Sequence, residues 1–273
     1  MQPVWPAACV TIGDAKIHYY RSGGAKPPLV LAHGFTDDGL CWLRLARVLE
    51  KDYDLIMYDA WGHGLSDGPA GPDVPWRDSA DDLAGLIGAL GLVKPAAMGH
   101  SMGAATVALA ASRYPDLLRC AVLEDPPYHT PRSVPEFDNT TNPWKQQVES
   151  FQKMTVAEVM AAGRAQNPRW AEIEFEPWAR SKQTFNLAMF SARKMQAPRW
   201  QDVVSQIHVP VLLIHGDTTL GGLVSPEIAK EFAALVPQTT VEHIAGAGHN
   251  VRREQFDQFV EALSWLRVNG GSQ

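Results

Sequence analysis

Five short apolar runs punctuate the chain: PPLVLAHGF (27–35), YDLIMYDAWG (53–62), PAAMGHS (95–101), CAVLEDP (120–126) and PVLLIHGD (210–217). Each is continuously apolar rather than alternating and ends in Gly, Pro or polar residues, the pattern of parallel strands covered on both faces. TTVEHIAGAGH (239–249) reads as one more strand, and CVTIGDAKIHYYRSG as a hairpin turning at Gly13-Asp14. Between the runs lie amphipathic segments. In SADDLAGLIGAL (79–90), Leu83, Leu86, Ile87 and Leu90 share a helical face, and Ser79 followed by Asp82 predicts a capping box. AATVALAASRY (104–114) is alanine-rich, able to lie close to a sheet, and Pro115 stops it. In REQFDQFVEALSWL (253–266), Phe256, Phe259, Val260 and Leu263 share a face. The alternation predicts an α/β fold, a mostly parallel central sheet with helices on both sides.

One region departs from this rhythm. From about Pro126 to His208 no strand run occurs, while Trp144, Phe151, Trp170, Phe175, Trp178, Phe185, Met189, Phe190 and Trp200 crowd the segment. We expect a helical cap over 126–207, inserted between strands 6 and 7 of a core made from 1–125 and 208–273. Ligands of open α/β sheets bind beyond the carboxyl ends of the strands, where this insertion emerges. Its aromatic underside is expected to line an apolar pocket, with Trp61, Tyr128, Trp178 and Phe190 as substrate-facing candidates. The competing expectation is that these rings pack a small core belonging to the insertion alone.

Hydrophobic content of 45% and charged content of 20% argue against extended disorder. A net charge of -6 disfavours nucleic acid and anionic membrane as partners, since both reward a basic surface. It leaves a small-molecule substrate open. Three cysteines, Cys9, Cys41 and Cys120, do not make a disulfide framework and are expected to pack as small apolar residues. The start of the chain lacks a basic and then apolar leader, and no run approaches the ~18 apolar residues of a membrane span. A cytoplasmic protein is expected.

The sharpest chemical signal is GHSMG (99–103), set between an apolar strand and a small-residue helix. Gly-x-Ser-x-Gly in strand–turn–helix context is a nucleophile elbow: the bend lifts Ser101 out of the sheet, and the glycines leave room where a Cβ would clash. The helix beginning at Met102 aims its N–H groups at any oxygen turning negative nearby. A serine needs a base. Nine histidines are present. His249 is preferred because it comes last in the chain, in the glycine-rich loop AGAGHN. His33, His63, His100 and His215 also fall near strand ends and are expected to be structural.

With HGF (33–35), DAWGHGLS (59–66), GHSMG (99–103) and GAGHN (246–250) in this order, the chain resembles the α/β-hydrolase fold enzymes over roughly 10–125 and 208–268. The resemblance implies a second oxyanion donor, the backbone N–H of Phe35, beside that of Met102. It also implies an acid that orients the histidine, usually three residues after the glycine that follows strand 7. Here that count from Gly216 lands on Thr219, and the count back from Val224 lands on Gly221. Neither is a carboxylate. Two candidates remain: Asp125 in LEDPP, at the end of strand 6 where haloalkane dehalogenases and zearalenone-type lactonases carry their acid, and Asp217. Asp125 is preferred and Asp217 is the alternative. Glu124 is expected on the opposite face of the strand.

These residues describe a serine hydrolase, a carboxylesterase or lactonase, that cleaves a neutral, fairly apolar substrate through an acyl-enzyme. Carbon–carbon bond hydrolysis, amide cleavage and perhydrolysis use the same machinery, and a slow-turnover ligand receptor shares the scaffold. No H-E-x-x-H motif or phosphate-binding glycine loop occurs, so no metal and no cofactor is implied.

Overall fold

The apolar runs are strands of one sheet. The computed structural model describes residues 5–71, 74, 75, 77–128, 142–191 and 198–270. Among them, eight strands pair in a single sheet: β1 (Ala7–Ile12), β2 (Ala15–Arg21), β3 (Pro28–Ala32), β4 (Asp54–Tyr58), β5 (Ala96–His100), β6 (Ala121–Glu124), β7 (Val211–His215) and β8 (Thr239–His243). Their spatial order is β1-β2-β4-β3-β5-β6-β7-β8. The hairpin partner β2 pairs antiparallel with both β1 and β4, and every pairing from β4 to β8 is parallel.

The helices are α1 (Leu43–Leu49), α2 (Ser79–Ala89), α3 (Met102–Arg113), α4 (Pro143–Phe151), α5 (Val156–Gln166), α6 (Phe175–Thr184), α7 (Trp200–Val204), α8 (Pro226–Leu235), α9 (Val251–Glu254), α10 (Phe256–Ala262) and α11 (Leu266–Asn269). Continuous apolar strands are explained by what lies on each face. Val30, Ile56, Ala97, Leu123 and Leu213 point into one core with α2, α3, α7 and α8. Their neighbours Leu31, Met57, Met98, Val122 and Leu212 point into the other, with α1, α10 and α11. Because side chains alternate across a strand, two buried faces require every position to be apolar.

Several local expectations are corrected. Helix α2 is capped by Asp78, not Ser79: Asp78 is extended and accepts from the N–H groups of Ala80 and Asp81. Asp82 instead binds Arg77, whose Nη2 donates to it at 2.8 Å. The segment 253–266 is not one helix, because Gln255 leaves the helical conformation (φ -132°, ψ 60°) between α9 and α10. Cys41 and Cys120 are buried, whereas Cys9, on the sheet's edge strand, is exposed.

Between β6 and β7 the described chain is helical. Phe151, Val159, Trp170, Phe175 and Trp178 cluster together. Val148, Phe185, Met189 and Phe190 form a second cluster that takes in Phe35 and Trp61 from the strand-end loops. Residues 129–141 and 192–197 of the expected cap lie outside the described residues. No helix among the described residues is long and apolar enough to cross a membrane.

The last residue of β6 and the one after it diverge. Glu124 accepts from the backbone N–H of Arg252 at 2.9 Å and from its Nη1 at 3.0 Å, with neither side chain more than 2% exposed. Arg252 also lies over the Trp42 ring, 4.2 Å from its centroid. This pair ties β6 to α9. A buried pair broken on one side leaves an uncompensated charge. Glu124→Leu should therefore cost about 3–5 kcal/mol, and adding Arg252→Met should recover most of that loss. Urea unfolding of the single and double variants measures both; a double variant no more stable than Glu124→Leu would contradict this account.

The loop after β3 buries Asp37 and Asp38 close to Asp59. Asp38 is pushed up to about 8 by burial and by the negative charges of Asp59 and Asp37. The folded state thus holds this proton more tightly than the unfolded chain does, where an aspartate titrates near ~3.9. Stability is lost as pH rises from about 4 through about 8. Asp38→Asn keeps an acceptor for the Leu40 N–H and removes the ionisation. It should raise the melting temperature more at pH 8–9 than at pH 5, and an equal gain at both would refute the burial argument.

Candidate active site

Ser101 sits at the bend between β5 and α3 with φ 51° and ψ -115°, a strained conformation for a residue with a side chain. The turn is this tight because its glycines allow it. A Cβ on Gly99 would lie 2.2 Å from the Gly103 oxygen, and one on Gly103 would lie 2.1 Å from the Ala32 oxygen. The Ser101 N–H donates to Glu124 O at 2.9 Å, so the elbow is pinned to β6. No side chain caps the start of α3, which leaves its first N–H groups available beside the serine.

His249 arrives on the loop between β8 and α9. Its Nδ1–H donates to Asp125 Oδ2 at 2.6 Å. Asp125 is fully buried and adopts φ 43°, another strained position. Its Oδ1 accepts from the N–H of Val224 at 3.0 Å, and the carboxylate also takes the Leu223 N–H at 2.9 Å. With Nδ1 committed to the carboxylate, the ring's other nitrogen, Nε2, carries the lone pair.

Asp217 is held elsewhere. Its Oδ2 accepts from Gly246 N–H and its Oδ1 contacts His243 Nε2, both at 2.7 Å. The Gly246 N–H, then His243, hold its carboxyl below the usual range. Asp217 braces the loop that carries His249. A second brace comes from the inserted segment: Arg169 Nη1 donates to Gly246 O at 2.5 Å and pairs with Glu254, which accepts from Gly248 N–H at 3.0 Å. The other strand-end histidines serve structure. His33 Nε2 accepts from Ala60 N–H at 2.9 Å, His63 Nδ1 donates to Trp61 O at 2.9 Å, and His100 Nε2 donates to His249 O at 3.0 Å. His215 Nδ1 donates to Gly216 O at 3.2 Å. Burial lowers the pKa of His63 to about 3 and that of His100 well below its ordinary value, so both rings stay neutral.

Ser101 and His249 open onto one cavity of about 220 Å³. Phe35, Trp144, Phe151, Trp170 and Trp178 supply its aromatic walls. The remaining expected aromatics are placed differently. Trp61 lines a separate cavity of about 50 Å³ with Met189 and Met102. Phe190 stands behind the wall, edge-on to Phe35 and Trp144. Tyr128 stacks on Trp200 at 4.9 Å, within the core beside Phe232. Neither Phe190 nor Tyr128 lines the cavity onto which Ser101 opens.

The cavity is not uniformly apolar. Asp37, Lys182, Asn250 and Arg253 also line it. Lys182 Nζ donates to Asp37 Oδ1 at 2.8 Å, and Arg253 Nη2 donates to Asp37 Oδ2 at 3.0 Å. Burial would raise the Asp37 carboxyl, but Arg253, Lys182 and Arg252 together hold it well below the ordinary range. No motif or periodicity marks Asp37, Lys182 or Arg253 in the sequence; they meet from the β3 loop, α6 and α9. Among the described residues, no group of three His, Cys, Asp or Glu side chains is arranged to hold a metal ion.

Curated relatives align along most of the chain. It is 30% identical over 257 residues to the 2-(acetamidomethylene)succinate hydrolase of Mesorhizobium japonicum, covering 89% of each protein. It is 29% identical over 263 residues to the N-formylmaleamate deformylase of Pseudomonas putida, covering 93% of each. The crystal structure of an N-formylmaleamic acid deformylase from Pseudomonas putida S16 superposes with a TM-score of 0.75 at 23% identity, over 94% of this chain and 100% of that one. The sequence model of the alpha/beta hydrolase fold matches residues 27–252. With the elbow, the histidine loop and the eight-stranded sheet in the order this family requires, the chain belongs to the α/β-hydrolase fold family.

Proposed function

We propose that this protein is a serine hydrolase that cleaves a carboxylic ester, lactone or amide through an acyl-enzyme. The observation that carries this reading is the 2.6 Å contact from His249 Nδ1 to Asp125 in a cavity that His249 shares with Ser101. In this mechanism Ser101 Oγ attacks the carbonyl carbon while His249 Nε2 takes its proton. The tetrahedral oxyanion rests on the N–H groups of Phe35 and Met102, each worth about 3 kcal/mol in comparable sites. His249 then hands the proton to the departing oxygen or nitrogen, and that bond breaks. Water, deprotonated by the same nitrogen, attacks the acyl-enzyme, releasing the acid and restoring Ser101. Asp125 holds the imidazole in the required tautomer and favours the imidazolium.

In this reading residues 126–207 form a cap over a core of 1–125 and 208–273. The shared braces at Gly246 and Asp37 support it, because they join the inserted helices to the loops that carry the reacting groups. The relatives named a hydrolase and a deformylase favour bond hydrolysis, and the aromatic walls favour a substrate with apolar surface.

Two measurements test the proposal. A fluorophosphonate should label the wild type at Ser101 and fail to label Ser101→Ala. On a p-nitrophenyl ester, Asp125→Asn should lower kcat by about ten-thousandfold, while Asp217→Asn, which only braces a loop, should lower it less than about tenfold. A reversal of the two Asp effects would move the acid to the β7 loop; no labelling would remove the nucleophile.

A further inference from the structure

We propose that the cavity at Ser101 selects small substrates that carry a carboxylate in addition to the bond being cut. This rests on the acyl-transfer reading above and narrows its substrate class. Among the described residues, and apart from His100 and His249, the ionisable side chains lining the cavity are Asp37, Lys182 and Arg253, two cations against one anion. His100 adds no charge, since burial keeps its ring neutral. The flanking carboxylates lie outside the lining. Glu124 is matched by Arg252, and Glu174 stands behind Arg253, 3.4 Å from its Nε. Neither of these carboxylates lines the cavity, nor does Asp125, which is taken up by His249, whereas both cations line it.

The two cations have different parts. Lys182 is saturated: its Nζ donates to Thr36 O at 2.8 Å, Thr36 Oγ1 at 3.0 Å and Asp37 Oδ1 at 2.8 Å, which uses all three N–H groups. It contributes field and no contact. Arg253 donates to Glu174, to Asn250 Oδ1 at 3.1 Å and to Asp37, which leaves two of its five N–H groups. Asn250, with its oxygen taken by Arg253, keeps its NH₂ as a donor. The guanidinium is also held over the Trp170 ring, 4.5 Å from the centroid, so the charge is fixed in place before any substrate arrives. A buried, preorganised cation acts on an anion through little water, where its attraction is strongest.

Size limits the substrate as well. At about 220 Å³ the cavity falls below the roughly 300–1,000 Å³ of pockets that hold drug-sized ligands. A short acyl derivative of a dicarboxylic acid fits this combination of volume and charge. A neutral molecule of the same shape fits the volume alone.

The test uses the whole protein and a pair of probes matched in shape. Succinate and hexane-2,5-dione differ chiefly in charge. Succinate should protect Ser101 from fluorophosphonate labelling at a concentration about 10- to 100-fold lower than the dione, the range of a charge-assisted hydrogen bond. Monomethyl succinate should likewise exceed methyl 4-oxopentanoate in kcat/KM, and Arg253→Gln should shrink that ratio. If this variant does not fold, the wild-type comparisons decide alone. Equal protection by the two probes, or a ratio at or below one, overturns the inference while leaving the nucleophile in place. Absence of labelling at Ser101 overturns the proposed function instead.

Discussion

The carboxylate of Asp125 joins three separate pieces of chain at one buried point. It accepts the N–H groups of Leu223 and Val224 from the loop after β7, and it takes Nδ1–H of His249 from the loop after β8. Its own backbone N–H donates to Ile214 O on β7 at 2.8 Å. A fully buried carboxylate is costly unless its lone pairs are filled, and these donors fill them. The left-handed backbone at Asp125 is the local cost of turning the side chain this way, while Glu124 turns to the opposite face and holds α9. Placing a histidine ring beside the elbow thus depends on one strand end splitting its last two carboxylates between two directions.

Strain concentrates around that point. The non-glycine residues with positive φ among the described residues are Thr36, Lys94, Ser101 and Asp125. Thr36 and Ser101 line the cavity, Asp125 contacts His249 behind it, and Thr36 is also an acceptor for Lys182. Such conformations persist only where neighbouring contacts over-determine them. Here the contacts are the glycine-permitted approach of β5 to α3, the N–H donors on Asp125 and the buried ion cluster at Asp37. That cluster also connects the inserted helices to the core, since Lys182 belongs to α6 and Asp37 to the β3 loop. Truncating one member leaves the others buried with one partner fewer, so the charges of this cluster depend on one another.

Much of this architecture was legible in the sequence for clear physical reasons. A strand buried on both faces has no position for a polar residue, so its continuous apolar run is visible without coordinates. The elbow is equally local, because only glycine tolerates contacts of 2.1–2.2 Å at the Cβ positions of residues 99 and 103. His249 stood out by its glycine-rich loop at the end of the chain. Local rules failed where neighbouring residues compete for one role, as when Asp78 took the cap position expected of Ser79 and Gln255 interrupted a periodic helix.

What the tertiary structure alone decided is which of two carboxylates meets the imidazole and which side chains line the cavity. Asp125 and Asp217 follow the ends of adjacent strands, and nothing in LEDPP or PVLLIHGD states which way either side chain points. The choice follows from the β7 loop, where Asp217 N–H bonds Ala247 O and its carboxylate takes Gly246 N–H, leaving His249 to Asp125. Aromatic residues crowd the inserted segment, yet Trp178 lines the cavity while Phe190 backs its wall, because ring faces are assigned by packing partners far away in sequence. The charged wall was the least visible feature. Asp37 lies 145 residues from Lys182 and 216 from Arg253 along the chain, and a pairing between distant charges leaves no periodic trace in the sequence.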